Sequence, residues 1–301
     1  MTPSRMFEVA VVSGKGGTGK SSITAALIHL LFLKGIPTVA ADCDVEAPNL
    51  ALLLGCGDPL ETLTISASHK AKVDPSKCTG CGLCEKHCPY DAVHVLQGKA
   101  TVAEIFCEGC GACLQVYPQQ AIALDASETG KLYLSKSRYG FHVVHGQLNL
   151  GEHNSGKLVT AIKTKARKLV AGNGFLLLDG APGIGCPVIA TLSGASLALA
   201  VTEPTPVARF VLERLVQVIE HFNVPFIVVV NRADLAPNYT QQLEEQFSKR
   251  KIPVFKVPYD EAVLASTAQL KPVTEFTPHS RLHQVLSLLA EEITSEAGLK
   301  P

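Results

Sequence analysis

Hydrophobic residues in this chain form short, nearly continuous runs that alternate with longer stretches of helical periodicity. The clearest runs cover residues 7–12, 175–178 and 226–230. Such runs have strand length and little polar alternation, which is typical of parallel strands buried on both faces. The pattern predicts an α/β fold with a mostly parallel, doubly wound sheet and helices on both of its faces. Further strands are predicted at 38–41, 195–201 and 253–257, and helices at 21–34, 158–170, 207–222, 261–269 and 280–294.

A glycine-rich loop separates the first predicted strand from the first predicted helix, and its spacing is G-x4-G-K-S. In that context the spacing is typical of a phosphate-binding P-loop. Glycines let backbone N–H groups converge on phosphate oxygens, and the helix N-terminus adds positive potential. Lys20 is expected to reach the β- and γ-phosphates, and Ser21 to offer its hydroxyl to Mg²⁺. The predicted nucleotide-binding residues of the loop are Gly14, Lys15, Gly16, Gly17, Thr18, Gly19, Lys20, Ser21 and Ser22.

Acidic residues follow two of the predicted strands. Asp42 and Asp44 come directly after the strand at 38–41, and Asp179 ends the strand at 175–178. Carboxylates that leave a strand beside a P-loop are placed to face the phosphates and their metal ion. We interpret Asp179 as the Walker B residue, which holds the Mg²⁺ environment through water.

Composition narrows the class of protein. The chain has 301 residues with 27 acidic and 27 basic side chains, and this neutral balance gives no support for a nucleic-acid partner. No apolar run reaches the ~20 residues that span a bilayer, and residues 1–8 lack a signal-peptide hydrophobic region, so we expect a cytoplasmic protein without a membrane anchor. In such a protein, ten cysteines favour metal or redox chemistry over disulfides. A basic helix face is interpreted as solvated, with a binding surface for an acidic partner as the alternative, and it carries Lys163, Lys165, Arg167 and Lys168.

Seven cysteines are concentrated in two runs between residues 78 and 113. The first run, C-x2-C-x2-C-x3-C-P, is typical of bacterial ferredoxins, and soft thiolates suit iron–sulfur clusters. The second run repeats the first three cysteines but has Tyr117 where the fourth would stand. Zinc is the alternative, because paired C-x2-C motifs also bind zinc. The third cysteine, the x3 spacing and the following proline favour iron–sulfur. The predicted ligands are Cys78, Cys81, Cys84, Cys88, Cys107, Cys110 and Cys113.

Tyr117 divides the two predicted clusters into a complete and an incomplete one. In two-cluster ferredoxins the fourth cysteine of each run ligates the other cluster. A 4Fe–4S cluster is therefore assigned to Cys88, Cys107, Cys110 and Cys113. The incomplete site has Cys78, Cys81 and Cys84. It would hold a 3Fe–4S cluster, or a 4Fe–4S cluster capped by oxygen, an exogenous ligand or a distant side chain. We hypothesise that this cluster is labile or exchangeable.

The loop sequence K-G-G-T-G-K-S, with Lys15 ahead of its glycines, resembles the deviant P-loop of the MinD/ParA/Mrp ATPases. With its cysteine runs, the whole chain resembles members of that superfamily that contain an inserted two-cluster ferredoxin domain. The resemblance implies a P-loop ATPase domain of residues 1–71 and 125–301. It also implies a small α+β ferredoxin-like domain of residues 72–124, inserted after the second sheet strand. Catalytic roles are implied for Lys15, Lys20 and Asp44. In the family the early lysine, here Lys15, reaches a partner's nucleotide across a dimer, and Asp44 corresponds to the residue that orients the attacking water. Asp42 is assigned by the same resemblance to the outer shell of Mg²⁺.

Other nucleotide contacts are implied by the same resemblance. Gly183 lies in a segment that resembles switch II, and its backbone N–H is expected to face the γ-phosphate. Asn231 and Arg232 begin Asn-Arg-Ala-Asp, which resembles the N-K-x-D base-recognition element, with arginine for lysine. In the family the asparagine contacts adenine, and three residues that border adenine correspond to Pro258, Tyr259 and Asp260.

The resemblance implies an ATPase, slow without its partner, that couples nucleotide-dependent dimer and switch changes to electron transfer by ferredoxin-type clusters. ATP would bridge a homodimer or a heterodimer with a similar ATPase, and a redox or metalloenzyme partner is expected. Two alternatives stay open: a carrier or assembly factor that delivers clusters or metal to a client metalloenzyme, and a redox-sensing regulatory ATPase. Cys186 lies seven residues after Asp179, as a cluster-ligating cysteine does in the nitrogenase iron protein. A metal role and a role as a small buried hydrophobe both stay open for it.

Overall fold

The computed structural model describes residues 6–116 and 120–299. Along them the strands are β1 (Phe7–Ser13), β2 (Thr38–Cys43), β3 (Glu61–Ile65), β4 (Ser68–Val73), β5 (Val93–Leu96), β6 (Lys99–Val102), β7 (Ile122–Ser127), β8 (Gly130–Lys136), β9 (His142–Leu148), β10 (Phe175–Pro182), β11 (Leu197–Thr202), β12 (Phe226–Asn231) and β13 (Val254–Val257). The helices are α1 (Lys20–Leu33), α2 (Leu50–Leu53), α3 (Leu83–Lys86), α4 (Ala112–Gln115), α5 (Ser155–Arg167), α6 (Cys186–Leu192), α7 (Pro206–His221), α8 (Pro237–Ser248), α9 (Ala262–Ala268), α10 (Val273–Phe276) and α11 (Arg281–Glu296).

A nine-stranded sheet forms the centre of the structure, in the order β13-β12-β11-β1-β10-β2-β9-β8-β3. The strands from β13 to β9 pair in parallel, whereas β8 pairs antiparallel with both β9 and β3. The strand order reverses at β1, and open parallel sheets bind ligands at the carboxyl ends of the strands at such a point. The predicted mostly parallel α/β sheet is confirmed, and the glycine loop lies where the sheet favours a ligand.

Helices pack on both faces of this sheet because its central strands are apolar on both sides. Val9 and Val11 of β1 contribute to one core, with α1, α2 and α11. Ala10 and Val12 contribute to the other core, with α5, α6, α7 and α8. The continuous apolar runs therefore correspond to strands that are covered on both faces.

The sheet contains one strand that the hydrophobic pattern indicated only weakly. β3 pairs with β8 from Glu61–Leu134 to Ile65–Gly130, at the edge of the main sheet. Residues 62–64 are exposed, so β3 lacks the long apolar run of a central strand. The cysteine-containing insertion was predicted to follow the second strand of the main sheet. It follows the third strand, β3, so this prediction was wrong.

The part of the chain from β4 to β7, residues 68–127, which we call the cysteine segment, lies between β3 and β8, and its described residues have an apolar core separate from those of the main sheet. Two-stranded sheets form from β4 with β7 and from β5 with β6. The helices α3 and α4 each begin after a glycine with positive φ, Gly82 (φ 74°) and Gly111 (φ 77°). Equivalent glycines stand after the second cysteine of each run, so the sequence repeat appears as two similar turns.

One residue of the basic face of α5, Lys163, is not solvated. The Lys163 ammonium is buried, lies 2.9 Å from Glu8 Oε1, and donates to the carbonyl oxygens of Ala190, Thr191 and Ser193 at 2.7–2.8 Å. Arg167 Nε donates to Glu8 Oε2 at 2.7 Å. Burial lowers the pKa of Lys163, and Glu8 opposes that change. The interpretation of this face as solvated was wrong for Lys163, which binds α5 to the carboxyl end of α6.

Replacing Lys163 with alanine should lower the free energy of unfolding by about 3 kcal/mol, because a buried carboxylate and carbonyl oxygens lose their cation. Lys165→Ala is the matched control on the same helix. Its partly exposed pair with Glu61 should be worth about 0–1 kcal/mol. Anaerobic urea denaturation followed by circular dichroism measures both. Equal losses in the two variants would contradict the assigned role of Lys163.

Candidate functional site

The glycine loop is shaped by close approaches that leave no room for side chains at two positions. A Cβ on Gly14 would lie 2.8 Å from the Val211 carbonyl oxygen, and a Cβ on Gly19 would lie 2.2 Å from Asn231 Nδ2. Gly19 also has φ 86° at the N-terminus of α1, a conformation that favours glycine. Gly16 and Gly17 face open space. The loop is thus packed against α7 and β12 on one side and open on the other, as a phosphate cradle requires.

Asn231 supports the loop from the end of β12. Its Nδ2 donates to the Thr18 carbonyl oxygen at 2.8 Å, and its Oδ1 accepts from the Arg232 N–H at 3.0 Å. The side chain that the resemblance assigns to adenine is therefore engaged with the P-loop backbone. The adenine contact stays a prediction, and the structure gives Asn231 an additional structural role.

Two carboxylates that are far apart in sequence lie side by side at the carboxyl ends of neighbouring strands. Asp42 of β2 and Asp179 of β10 are partners in the parallel register, and both are fully buried. Lys20, also buried, donates from Nζ to Asp179 Oδ1 at 2.8 Å. Parallel pairing of the strands that carry these residues therefore creates a compact charged cluster at the start of α1.

Each member of this cluster has a distinct electrostatic environment. Burial raises the pKa of Asp42 to about 7, with a further contribution from Asp179, although backbone N–H groups of Asp44 and Leu50 oppose the rise. Burial works against the charge of Lys20, but Asp179 outweighs it and raises the pKa of that ammonium. Burial also raises the pKa of Asp44, against the effect of Lys20. The cluster concentrates negative charge that a cation would neutralise.

The carboxylate of Asp179 has a free oxygen. Oδ1 accepts from Lys20 and lies 3.2 Å from Thr24 Oγ1, whereas the buried Oδ2 has no hydrogen-bond partner within the described chain. An unpartnered buried carboxylate oxygen beside the P-loop suits a hydrated Mg²⁺ ion. Asp42 differs, because its two oxygens accept backbone N–H groups from Asp44, Asn49 and Leu50 at 2.9–3.0 Å. That arrangement suits the outer-shell position expected for Asp42, and the donor set fits magnesium.

Thr24 was not among the predicted site residues. It stands one helical turn after Lys20, and this spacing places its hydroxyl beside the Asp179 carboxylate. Thr18 is a second polar group of interest, because its buried Oγ1 also lacks a partner within the described chain. Both hydroxyls lie next to the position where phosphates and metal are expected.

Other predicted residues have intramolecular partners. The Gly183 N–H donates to the Ser13 carbonyl oxygen at 2.8 Å, so a contact with the γ-phosphate requires that this bond break. Lys15 pairs with Glu203 of the same chain. Asp44 accepts from the Ala47 N–H at 3.3 Å.

The predicted adenine border lies next to the loop after β12. The Tyr259 N–H donates to Asp234 Oδ1 at 2.7 Å, which ties the segment after β13 to the Asn-Arg-Ala-Asp loop. Asp260 accepts from the Ala262 N–H at 2.9 Å. The side chain of Tyr259 is 41% exposed, so it is accessible to a planar ligand.

The cysteine segment brings the predicted thiols into two groups. Cys88, from the first run, lines one small cavity together with three cysteines of the second run, which are Cys107, Cys110 and Cys113. Burial raises the pKa of the Cys113 thiol, and the other three thiols of that cavity raise it further. In the other group, burial raises the pKa of Cys84, with further contributions from Cys81 and Cys78. Cys88 thus lies with the second run, as the crossed pattern requires, and ligation of a cluster by these thiols stays a prediction.

Backbone N–H groups point at sulfur in both groups. Three such contacts have the same length, 3.3 Å, and they are Ala71 N to Cys107 Sγ, Ala92 N to Cys88 Sγ and Ala100 N to Cys78 Sγ. Lysines repeat the same symmetry, because Lys70 donates to the Cys107 carbonyl and Lys99 to the Cys78 carbonyl. Hydrogen bonds to ligand sulfurs are among the features that set the reduction potential of an iron–sulfur cluster.

The thiols of the group that contains Cys88 line a cavity and do not converge on one position. Among the described residues, no three His, Cys, Asp or Glu side chains converge closely enough to hold a single metal ion. Tyr117 lies outside the described residues, and its effect on the incomplete site stays a prediction. Cys186 is exposed at the start of α6 and lines neither group. Its metal role likewise stays a prediction.

The fold and the loop define a P-loop nucleotide-binding α/β protein. Residues 9–273 match the CobQ/CobB/MinD/ParA nucleotide binding domain, and the chain belongs to this family. The uncharacterized proteins MJ0578 and MJ0579 of Methanocaldococcus jannaschii are 37% and 33% identical, over 75% and 87% of this chain and 78% and 89% of their own lengths. The structure is similar to the septum site-determining protein MinD of Pyrococcus horikoshii complexed with Mg-ADP, with a TM-score of 0.60, 18% identity and 99% of both chains covered. No helix in the described ranges is long and apolar enough to cross a membrane.

Asp179→Asn should weaken nucleotide binding in the presence of Mg²⁺ by tenfold or more, because the buried carboxylate oxygen that would hold the hydrated metal loses its charge. Binding in excess EDTA should change much less. Titration of a fluorescent ATP analogue under both conditions measures the two dissociation constants. Asp234→Asn, at the edge of the site, serves as a control that keeps the Mg²⁺ dependence. An unchanged ratio of the two constants in Asp179→Asn would argue against a metal role for this residue.

Proposed function

We propose that this protein binds and hydrolyses ATP and couples the nucleotide cycle to electron transfer by an iron–sulfur cluster in the cysteine segment. The P-loop and the buried carboxylates support the nucleotide half of the proposal. The four-thiol cavity, with N–H donors directed at sulfur, supports the iron–sulfur half. One further observation carries the coupling: residues 149–156, which comprise the loop after β9 and the first two residues of α5 and which we call the bridging loop, contact the cysteine segment on one side and α6 on the other.

Polar contacts join the bridging loop to the cysteine segment. The Glu152 carboxylate pairs with Lys70 at 3.2 Å, and both side chains are largely buried. His153 Nε2 lies 2.9 Å from Glu108, the residue that follows Cys107. Asn154, at the N-terminus of α5, donates to Ser68 Oγ at 2.9 Å rather than capping its own helix. The loop therefore contacts the strand and the turn that carry Lys70 and Cys107.

On its other side, the bridging loop contacts the segment that follows Asp179. A Cβ on Gly156 would lie 3.2 Å from the Cβ of Cys186, the first residue of α6. The Gly183 N–H, three residues earlier, is bonded to the Ser13 carbonyl at the start of the P-loop. A movement of residues 180–185 on γ-phosphate binding or release would displace α6 and press on this loop. The packing provides a contiguous route from nucleotide to thiols.

The site residues have separate tasks in this proposal. Lys20 would neutralise the β- and γ-phosphates, and Ser21 with Asp179 would hold Mg²⁺, which supplies electrostatic stabilisation of the transferring phosphoryl group. Asp44 would orient the attacking water. Lys15 would enter a partner subunit's nucleotide, so hydrolysis would depend on a homodimer or a heterodimer with a similar ATPase.

The complete thiol set favours electron transfer over cluster delivery. A 4Fe–4S cluster held by Cys88, Cys107, Cys110 and Cys113 would supply one-electron redox chemistry. Four protein thiolates retain a cluster more firmly than three. A carrier would instead lose iron to an apo-client when ATP is added, and a sensor would change its hydrolysis rate on oxidation without passing electrons on.

Cys113→Ser should remove about four of the seven or eight irons per chain that a two-cluster protein holds. The matched control is Cys56→Ser, a half-buried cysteine outside both thiol groups, which should keep the full iron content. Iron and sulfide analysis after anaerobic purification measures the contents. Wild-type protein without iron, or equal iron in all three proteins, would overturn the iron–sulfur half of the proposal.

Glu152→Gln should uncouple the two halves while keeping each intact, because it removes the largely buried pair with Lys70. ATP should still bind with wild-type affinity, and the iron content should not change. The ATP-induced change in the electron paramagnetic resonance signal of the reduced protein should fall by half or more. Asp125→Asn, which breaks an exposed pair with Lys72 in the same strand pair, should leave that change intact. A wild-type response in Glu152→Gln would exclude the bridging loop as the route.

A further inference from the structure

A single carboxylate, Glu203, binds the two cations that border the nucleotide site. It follows β11 directly, and its side chain is 13% exposed. One oxygen pairs with Lys15, and the other accepts from Arg232 Nη1 at 3.1 Å. Glu203 was not among the residues predicted from sequence. Its position at a strand end, like those of Asp42 and Asp179, is the feature that could have indicated it.

We propose that Glu203 is a positioning residue that holds Lys15 against its own chain until nucleotide-dependent assembly releases this lysine to the partner subunit. The inference rests on the proposed role of Lys15 in trans. The contact is intramolecular, so it competes directly with the reach of Lys15 across a dimer. Glu203 thereby sets the stability of the ATP-bound dimer.

Hydrogen bonds hold the backbone of Glu203 and of both of its partners, Lys15 and Arg232. The Thr205 N–H donates to the Glu203 carbonyl at 2.8 Å, and the Thr205 side chain caps α7. On the lysine side, Ser13 Oγ donates to the Lys15 carbonyl at 3.0 Å. On the arginine side, Arg232 has φ 54° and follows Asn231, which is anchored to the P-loop. Segments after β1, β11 and β12 therefore meet at one carboxylate.

Arg232 makes the release of Lys15 reversible. A largely buried carboxylate that loses its only cation is strongly destabilised. Glu203 keeps the guanidinium when the lysine leaves, so it is never unpaired. The ammonium in turn would gain charge-assisted hydrogen bonds to phosphate oxygens of the partner's ATP. The arrangement allows Lys15 to exchange one anionic partner for another.

Glu203→Gln tests this role because glutamine keeps the size of the side chain and removes its charge. Lys15 and Arg232 then lose the anion between them and repel each other, so the lysine is free to leave. The ATP-dependent dimer, formed with Mg²⁺ and a non-hydrolysable ATP analogue, should become at least tenfold tighter. The basal kcat should rise, and KM for ATP should stay within about twofold of wild type. Sedimentation velocity measures the dimer constant, and phosphate release measures the rate.

Two control experiments test whether the effect comes from the contact between Glu203 and Lys15 or from a general loss of charge. Glu220→Gln, which breaks the exposed pair with Arg250, should leave the dimer constant unchanged. In a Lys15→Gln background, Glu203→Gln should have no effect on the dimer, because the contact that it relieves is already absent. A tenfold gain that persists in that background would overturn the proposal.

The same measurements separate this inference from the proposed function. An ATP-dependent dimer that is equally stable in wild type and Glu203→Gln would overturn the role of Glu203 alone. An ATP-dependent dimer in neither protein would overturn both the trans role of Lys15 and the inference that depends on it.

Discussion

The buried ion pair between Lys20 and Asp179 is the interaction on which the rest of the site depends. The two groups lie 2.8 Å apart beside a second buried carboxylate, Asp42. Buried charges are stable only when they are paired, so the pair fixes the start of α1 against the end of β10. A phosphate chain and a magnesium ion would supply each member with a new partner of opposite charge. The same constraint that orders the site therefore favours this class of ligand.

Several other groups of the site share this property of having an internal partner that a nucleotide would replace. The Gly183 N–H is held by the Ser13 carbonyl, and Lys15 is held by Glu203. Each such contact defines one arrangement of a loop that a ligand would change. The loops after β10 and β11 both contact the P-loop after β1, so under the proposed function a nucleotide would move them together.

The bridging loop gives this rearrangement a physical connection to the cysteine segment. It contacts Cys186 through Gly156 and the first strand of the segment through Glu152. The pair of Glu152 with Lys70 is largely buried, so under the proposed coupling a displacement of the loop would reach Lys70. Lys70 also donates to the Cys107 carbonyl, at the edge of the four-thiol cavity. Only a few residues separate the nucleotide site from the four-thiol cavity along this chain of contacts.

The mostly parallel α/β architecture and the P-loop could be predicted from the sequence, because they depend on local periodicity and fixed spacing. Tertiary structure alone decided which distant groups meet. The adjacency of Asp42 and Asp179 follows from strand register, the burial of Lys163 from the packing of α5 on α6, and the pairing of Lys15 with Glu203 from the meeting of loops. The edge strand β3 also emerged only from its partner β8, since its own pattern is weak. A sequence pattern reports how each element faces the core, whereas contacts between elements depend on how the whole sheet is ordered.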